Sequence, residues 1–152
     1  MLLTRVYARI RSPLMDDNLN HCLVLNTRMA ARAVTRRADG KLRPFGINGA
    51  QFNILAALTM REDRSVTEMA KSLAMDRTTL SRNLALLERK GLVSIGPGEN
   101  ARKRQAKLTE AGRKKFASVI PEWRRSQEEL RQTLVNPDFM TTIAGLRHLS
   151  AL

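Results

Sequence analysis

Residues 65–95 read SVTEMAKSLAMDRTTLSRNLALLERKGLVSI and contain start and stop signals for two successive helices. Ser65 and Glu68 form a capping box, in which the serine hydroxyl accepts from one free backbone N–H and the glutamate carboxylate accepts from another. A tight turn at 74–75 separates this first helix from Asp76, whose side chain is a good N-cap for the next. The segment therefore predicts a helix-turn-helix.

The second helix of the pair is predicted over 77–90 and has two chemically different faces. Leucines recur at i, i+4 and i+7, the spacing of one buried stripe, at Leu80, Leu84 and Leu87. Small polar and cationic side chains cover the first turns and the opposite face: Arg77, Thr78, Thr79, Ser81 and Arg82. Gly91 supplies a left-handed C-terminal stop. Because such an outer face fits the major groove of DNA, we interpret this as a recognition helix.

A β-hairpin is predicted directly after the recognition helix. Residues 92–95 favour a strand, a turn begins at 96–98, and residues 103–108 return as a second strand. The hairpin tip carries a basic run, which is Arg102, Lys103 and Arg104. A basic tip of this kind can place an arginine in or beside the minor groove. The predicted fold class is mainly α with a small β-hairpin wing, which is a winged helix-turn-helix.

Helices are also predicted on both sides of this core. Their approximate ranges, taken from cap and break signals, are 16–41, 49–61, 110–132 and 136–152. The first and last of them have apolar stripes. Asn48 and Thr109 are the predicted N-caps of the two helices that adjoin the core.

Charge is concentrated in the middle of the chain. The 152 residues include 27 Lys or Arg and 14 Asp or Glu, a net charge of +13. Residues 77–115 contain eleven basic and three acidic side chains, and residues 28–43 contain six basic side chains and one acidic. A contiguous cationic segment indicates a polyanionic partner, nucleic acid first. A charge-driven architectural DNA-binding protein is therefore an alternative to a sequence-specific regulator.

Other function classes lack their usual signals. The sequence has no Gly-rich phosphate loop and no plausible nucleophile–base pair, so we expect neither an enzyme nor a bound cofactor. His21 and His148 are far apart in sequence and have no acidic or cysteine cluster, so no metal site is expected. No apolar run approaches the roughly 18 residues of a membrane span. We expect a cytoplasmic, single-domain protein without a membrane partner.

Four segments carry a resemblance to a known family: Thr67-Glu68-Met69-Ala70, Met75–Arg82, Leu87–Val93 and Leu108–Gly112. In these segments the chain resembles the multiple-antibiotic-resistance regulator (MarR) family, and the resemblance extends over roughly 19–149. The family's Asp-x-Arg wing signature falls on Asn100-Ala101-Arg102. The resemblance therefore implies that Arg102 is the wing arginine, although Asn100 stands where the family has Asp.

The resemblance implies a homodimer on double-stranded DNA. In that family a dimer binds a pseudo-palindromic operator and represses transcription until a small ligand or an oxidation event releases it. The expected division is residues 1–47 for dimerisation, 48–109 for the DNA-binding lobe and 110–152 for further dimerisation helices, all intertwined in one domain. By the same resemblance, the effector is a small aromatic carboxylate or an acyl-coenzyme A thioester.

Two features of the first long helix bear on regulation. Arg28, Arg32 and Arg36 repeat at i, i+4 and i+8, so they are either solvated charges or a site for the carboxylate or phosphate of an effector. Cys22 makes a redox-sensing repressor an alternative. Its apolar sequence neighbours instead predict a buried thiol of low reactivity. A lone cysteine also excludes a disulfide within the chain.

Overall fold

A computed structural model describes residues 20–61, 65–98 and 104–151. The elements in chain order are α1 (Leu23–Leu42), a 3-10 helix (Arg43–Phe45), α2 (Gly49–Met60), α3 (Val66–Ser72), α4 (Arg77–Arg89), β1 (Val93–Pro97), β2 (Arg104–Leu108), α5 (Glu110–Thr133) and α6 (Phe139–Leu149). The strands form a two-stranded antiparallel sheet. This confirms the predicted fold class, mainly α with a β-hairpin wing.

The chain divides into two compact units, Met1–Arg37 and Ala38–Leu152. The described part of the first unit consists mostly of α1. Its large apolar side chains are exposed in the single chain: Leu23, Val24, Leu25, Met29 and Val34. The predicted start of this helix at residue 16 lies outside the described residues, whereas the predicted end near Lys41 agrees with the observed end at Leu42.

The core of the second unit brings together side chains from four helices and the base of the hairpin. Its largest fully buried side chains are Ile54, Leu55, Leu58, Met69, Leu80, Leu84, Leu87, Val93 and Val119. The three leucines of α4 are therefore buried, as their spacing predicts. Each large side chain of this kind stabilises the fold by about 1.5–3 kcal/mol through burial.

Most of the predicted helix starts are confirmed by the caps that the structure shows. The Asn48 side chain accepts from the backbone N–H of Gln51 at the start of α2. Ser65 and Glu68 form the predicted capping box at α3. Thr109 caps α5 by accepting from the Gly112 N–H at 3.0 Å. These local hydrogen bonds satisfy donors that a helix cannot satisfy internally.

The start of the last helix differs from the prediction. It was expected at 136–137, but α6 begins at Phe139 and Asp138 is its N-cap. The Asp138 carboxylate accepts from the backbone N–H groups of Met140 and Thr141, and its second oxygen accepts from the Thr141 hydroxyl. Two backbone donors and a hydroxyl make Asp138 the better cap, so the Asn-Pro pair precedes the helix.

The hairpin is longer on its first strand than the sequence predicts. Gly96 and Pro97 were expected to begin the turn, but they belong to β1 and pair with Gln105 and Arg104. Pro97 is tolerated because it ends the strand at a sheet edge, where its missing N–H costs little. Residues 99–103 at the tip lie outside the described part of the chain.

Candidate nucleic-acid interface

The outer face of α4 is exposed because its other face is buried. Leu80, Leu84 and Leu87 lie in the core. The side chains at the candidate DNA-contact positions lie away from this stripe and are all exposed: Arg77, Thr78, Thr79, Ser81 and Arg82. The face therefore has the position and the chemistry that major-groove contact requires.

Asp76 fixes the start of this helix. Its Oδ1 accepts from the Thr79 N–H at 2.7 Å. The Thr79 hydroxyl, followed by the Thr79 backbone N–H, holds the pKa of Asp76 below its usual value. The carboxylate is therefore charged at neutral pH and stabilises the positive end of the helix dipole.

The turn before α4 sets the angle between the two helices of the motif. Ala74 has a φ of +49°, in the left-handed region that side chains other than glycine rarely adopt. The Met75 N–H donates to the Ala70 carbonyl at 2.9 Å and closes this turn. A single left-handed residue thus redirects the chain from α3 into the recognition helix.

A groove of about 580 Å³ separates the recognition helix from the wing. It brings together three of the candidate DNA-contact residues, Arg77 and Ser81 from α4 and Arg104 from β2. Thr78, Thr79 and Arg82 are not part of its lining. Arg102 and Lys103 lie outside the described residues, and so does the wing signature at Asn100.

Glu88 also lines the groove, although no sequence pattern singles it out as a site residue. It lies in the last turn of α4, where the negative end of the helix dipole disfavours an anion. Its Oε1 accepts from the backbone N–H of Ile95 in β1 at 3.0 Å, which joins the helix to the wing. The sequence signal for this contact is the acidic residue near the C-terminus of a helix. Because the helix dipole disfavours a negative charge there, such a residue is expected to have a specific hydrogen-bond donor as its partner.

Lys90 is likewise not singled out by a sequence pattern, and it anchors the other side of the same helix end. Its Nζ donates to the Gly46 carbonyl at 2.6 Å and to Gln51 Oε1 at 3.4 Å. Gly46 follows the 3-10 helix and Gln51 is buried in α2. The end of the recognition helix is therefore fixed to the segment that leads into α2.

The candidate residues on α1 have a different setting. Arg28, Arg32 and Arg36 are all exposed. The prediction of a buried thiol at Cys22 is wrong for the single chain, since that side chain is only partly buried. The physical reason is that the apolar face of α1 is itself exposed, with Leu23 at 59%.

Two absences apply to the described residues. Within 20–61, 65–98 and 104–151, no three His, Cys, Asp or Glu side chains are grouped so as to hold a metal ion. Among the helices that the structure describes, none is long and apolar enough to cross a membrane.

Comparison with known proteins identifies the family. A sequence model of the MarR family matches residues 45–104. The M. tuberculosis transcriptional regulator MosR, solved in complex with DNA, is 32% identical with a TM-score of 0.77, and the match covers 86% of this chain and 94% of that one. The chain belongs to the MarR family.

Two further relatives of this MarR-family regulator agree. The S. aureus MepR–DNA complex is 25% identical with a TM-score of 0.73, covering 86% of this chain and 98% of that one. The uncharacterised HTH-type transcriptional regulator YwoH of Bacillus subtilis is 27% identical over 112 residues, which are 74% of this chain and 82% of YwoH. The protein is therefore a DNA-binding transcriptional regulator, as the sequence predicts.

Proposed function

We propose that this regulator is a homodimeric repressor that reads a pseudo-palindromic operator through α4 and the wing. The observation that carries the proposal is the exposed polar and cationic face of α4 beside Arg104, across one groove. We assign base-edge contacts to Arg77, Thr78, Thr79, Ser81 and Arg82, and minor-groove or phosphate contacts to Arg102, Lys103 and Arg104. MosR and MepR were both solved in complex with DNA, which supports DNA as the partner.

The proposed dimer uses the terminal helices within 1–47 and 110–152, on either side of a DNA-binding lobe at 48–109. Exposed apolar side chains in the segments that precede and follow the lobe in sequence support it, among them Leu23 and Val24 on α1 and Met140 on α6. Burying such side chains against a second copy removes apolar surface from water, which favours association. A two-fold dimer places its half-sites about one DNA turn, roughly 34–36 Å, apart.

The proposed release signal is a small aromatic or acyl-coenzyme A-type effector. Arg28, Arg32 and Arg36 are the proposed contacts for its carboxylate or phosphate, because guanidinium groups bind such anions through two parallel hydrogen bonds. Their exposure leaves them accessible in the single chain. We also propose that the regulator acts in the cytoplasm, because its proposed operator is DNA.

The testing experiment is selection of genomic fragments by the purified protein at about 0.15 M salt, near physiological ionic strength. A recovered pseudo-palindrome supports the operator proposal, and neighbouring genes then suggest effectors to titrate against the DNA complex. Fragments without a shared motif, bound weakly and with strong salt dependence, would instead establish charge-driven architectural binding.

Redox sensing remains the second candidate, favoured by the partial exposure of Cys22. An oxidant is added to the operator complex of the parent protein and of Cys22→Ser. Release in the parent alone would establish the cysteine as the sensor. Equal behaviour of the two proteins, with release by an organic effector, supports the ligand proposal.

A further inference from the structure

The wing is attached to the neighbouring helices on both of its strands, by a hydrogen bond on β1 and by a β-bridge on β2. On β1, the Ile95 N–H points away from β2 and donates to Glu88 Oε1 at 3.0 Å. On β2, Gln105 forms an isolated antiparallel bridge to Ser65, the N-cap residue of α3. The two helices that flank the groove therefore each hold one strand of the hairpin.

Both attachments lie at nearly the same level of the hairpin. Gln105 pairs with Gly96, which is the next residue after Ile95. Arg104 and its partner Pro97 come one pair further out, beyond both attachments. The position of Arg104 relative to the recognition helix thus depends on these two points and on the packing at the hairpin base.

The Glu88 attachment is the stronger candidate for control of wing position. A carboxylate acceptor makes a hydrogen bond roughly twice as strong as a neutral one. An edge strand with only one neighbour has no other backbone partner for that N–H. A negative side chain in a groove that also contains Arg77 and Arg104 weakens the attraction for DNA, so the contribution of Glu88 to binding has to come from its contact with the wing.

We propose that Glu88 is a positioning residue, which holds the wing at the angle that lets Arg104 reach DNA beside the major groove read by α4. Glu88 acts through the Ile95 N–H and not through a DNA contact of its own. The inference rests on the proposed function, because it assumes that the wing touches operator flanks.

Three variants separate hydrogen bonding from charge. Glu88→Gln keeps an oxygen that accepts from Ile95 and removes the charge. Glu88→Asp keeps the charge but shortens the side chain by one methylene, and Glu88→Ala removes the acceptor. The substrate is the operator recovered by fragment selection, and hydroxyl-radical footprinting reports flank and centre contacts separately.

We expect Glu88→Ala and Glu88→Asp to lose the flank protections and keep those of the recognition helix, while Glu88→Gln keeps both. Operator affinity should fall about tenfold in the first two, equivalent to about 1.4 kcal/mol. The salt slope should fall by about 2 for one lost phosphate contact per wing of a dimer. A purely electrostatic function for Glu88 predicts tighter binding by Glu88→Gln and Glu88→Ala, and that result would overturn the proposal.

Two further measurements, the footprint of Arg104→Ala and the amide hydrogen exchange of Ile95, separate failure of the wing contact from failure of positioning by Glu88. If the flanks are protected neither in the parent protein nor in Arg104→Ala, the wing does not touch the operator and that part of the proposed function fails. If the flanks are protected equally in both proteins, Arg104 makes no contact and the positioning of Arg104 by Glu88 is wrong. If the parent shows wing protections that all three Glu88 variants keep, positioning by Glu88 is wrong. Amide hydrogen exchange tests the attachment without DNA, since Ile95 should exchange faster in Glu88→Asp than in Glu88→Gln. Equal exchange in these two variants would refute the proposal even if Glu88→Ala fails to fold.

Discussion

Substituting Gly112 with alanine tests how closely α5 approaches the base of the wing. A Cβ at this position would overlap the Leu92 carbonyl oxygen, lie 3.0 Å from the carbonyl carbon and lie 3.1 Å from Leu108 Cδ2. The carbonyl cannot simply turn away, because it accepts from the Thr109 N–H at 3.1 Å. The first turn of α5 must therefore move away from the strand.

The magnitude follows from what that movement breaks. It strains two hydrogen bonds made by Thr109, the one to Leu92 and a second from its hydroxyl to the Gly91 carbonyl at 2.6 Å. Two bonds at about 1 kcal/mol each, with about 2 kcal/mol for overpacking, give a loss of about 4 kcal/mol. The gain of about 1 kcal/mol from replacing a helical glycine leaves a net loss of about 3 kcal/mol. For a chain of this size that lowers the Tm by about 6–12 °C.

The assay is thermal and urea unfolding followed by circular dichroism and by the fluorescence of Trp123, at one fixed protomer concentration. Gly145→Ala is the matched control, because it lies inside α6 and its Cβ would meet nothing within 4 Å. It should gain about 1 kcal/mol from helix propensity. If the free energy of unfolding of Gly112→Ala lies within about 1 kcal/mol of that of the parent, α5 does not approach Leu92 as closely as the structure shows.

Three further predictions concern the recognition helix and its ends. Arg82→Ala should lose discrimination between operator and random DNA, while Lys107→Ala should weaken both about equally; equal losses for Arg82→Ala in a binding titration would contradict base reading. Ala74→Gly should raise the free energy of unfolding by about 0.5–1 kcal/mol, because the left-handed φ of +49° costs alanine more than glycine. Gly91→Ala, at a φ of +67°, is its control and should destabilise; the same sign for both would refute the conformational argument. The lowered pKa of Asp76 means that its stabilisation is present above the unfolded value of 3.8 and is lost as the pH falls through the folded value. Urea midpoints between pH 6 and pH 3 should therefore fall more steeply for the parent than for Asp76→Asn, and parallel curves would show that the cap does not titrate.

Local signals predicted the helix-turn-helix well. Capping residues such as Ser65 and Asp76 accept hydrogen bonds from backbone N–H groups only three residues further along the chain. A short stretch of sequence therefore shows both the donor and the acceptor. Where two signals competed locally, the prediction was wrong, as at the start of α6, where Asp138 outweighs the Asn-Pro pair before it.

Contacts between distant parts of the chain were not predictable in the same way. The distance between Glu88 and Ile95 depends on how the chain turns at Gly91, which residue types alone do not fix. Arg77 and Arg104 line the same groove, but they are far apart in sequence, so their proximity could not be predicted from local patterns. The exposure of Cys22 depends on which other segments or chains pack against α1, and the local sequence does not give that information.

Thr109 connects the N-terminus of α5 to the segment that follows the recognition helix. Its hydroxyl donates to the Gly91 carbonyl and its backbone N–H donates to the Leu92 carbonyl. With 24 residues, α5 is a rod roughly 36 Å long at 1.5 Å per residue. Moving its far end near Thr133 sideways by about 3 Å swings the rod through about 5° over that length. The two hydrogen bonds of Thr109 would carry a rotation of that size to the C-terminal end of α4. A displacement at the far end of α5 would then turn the helix that we propose to read DNA.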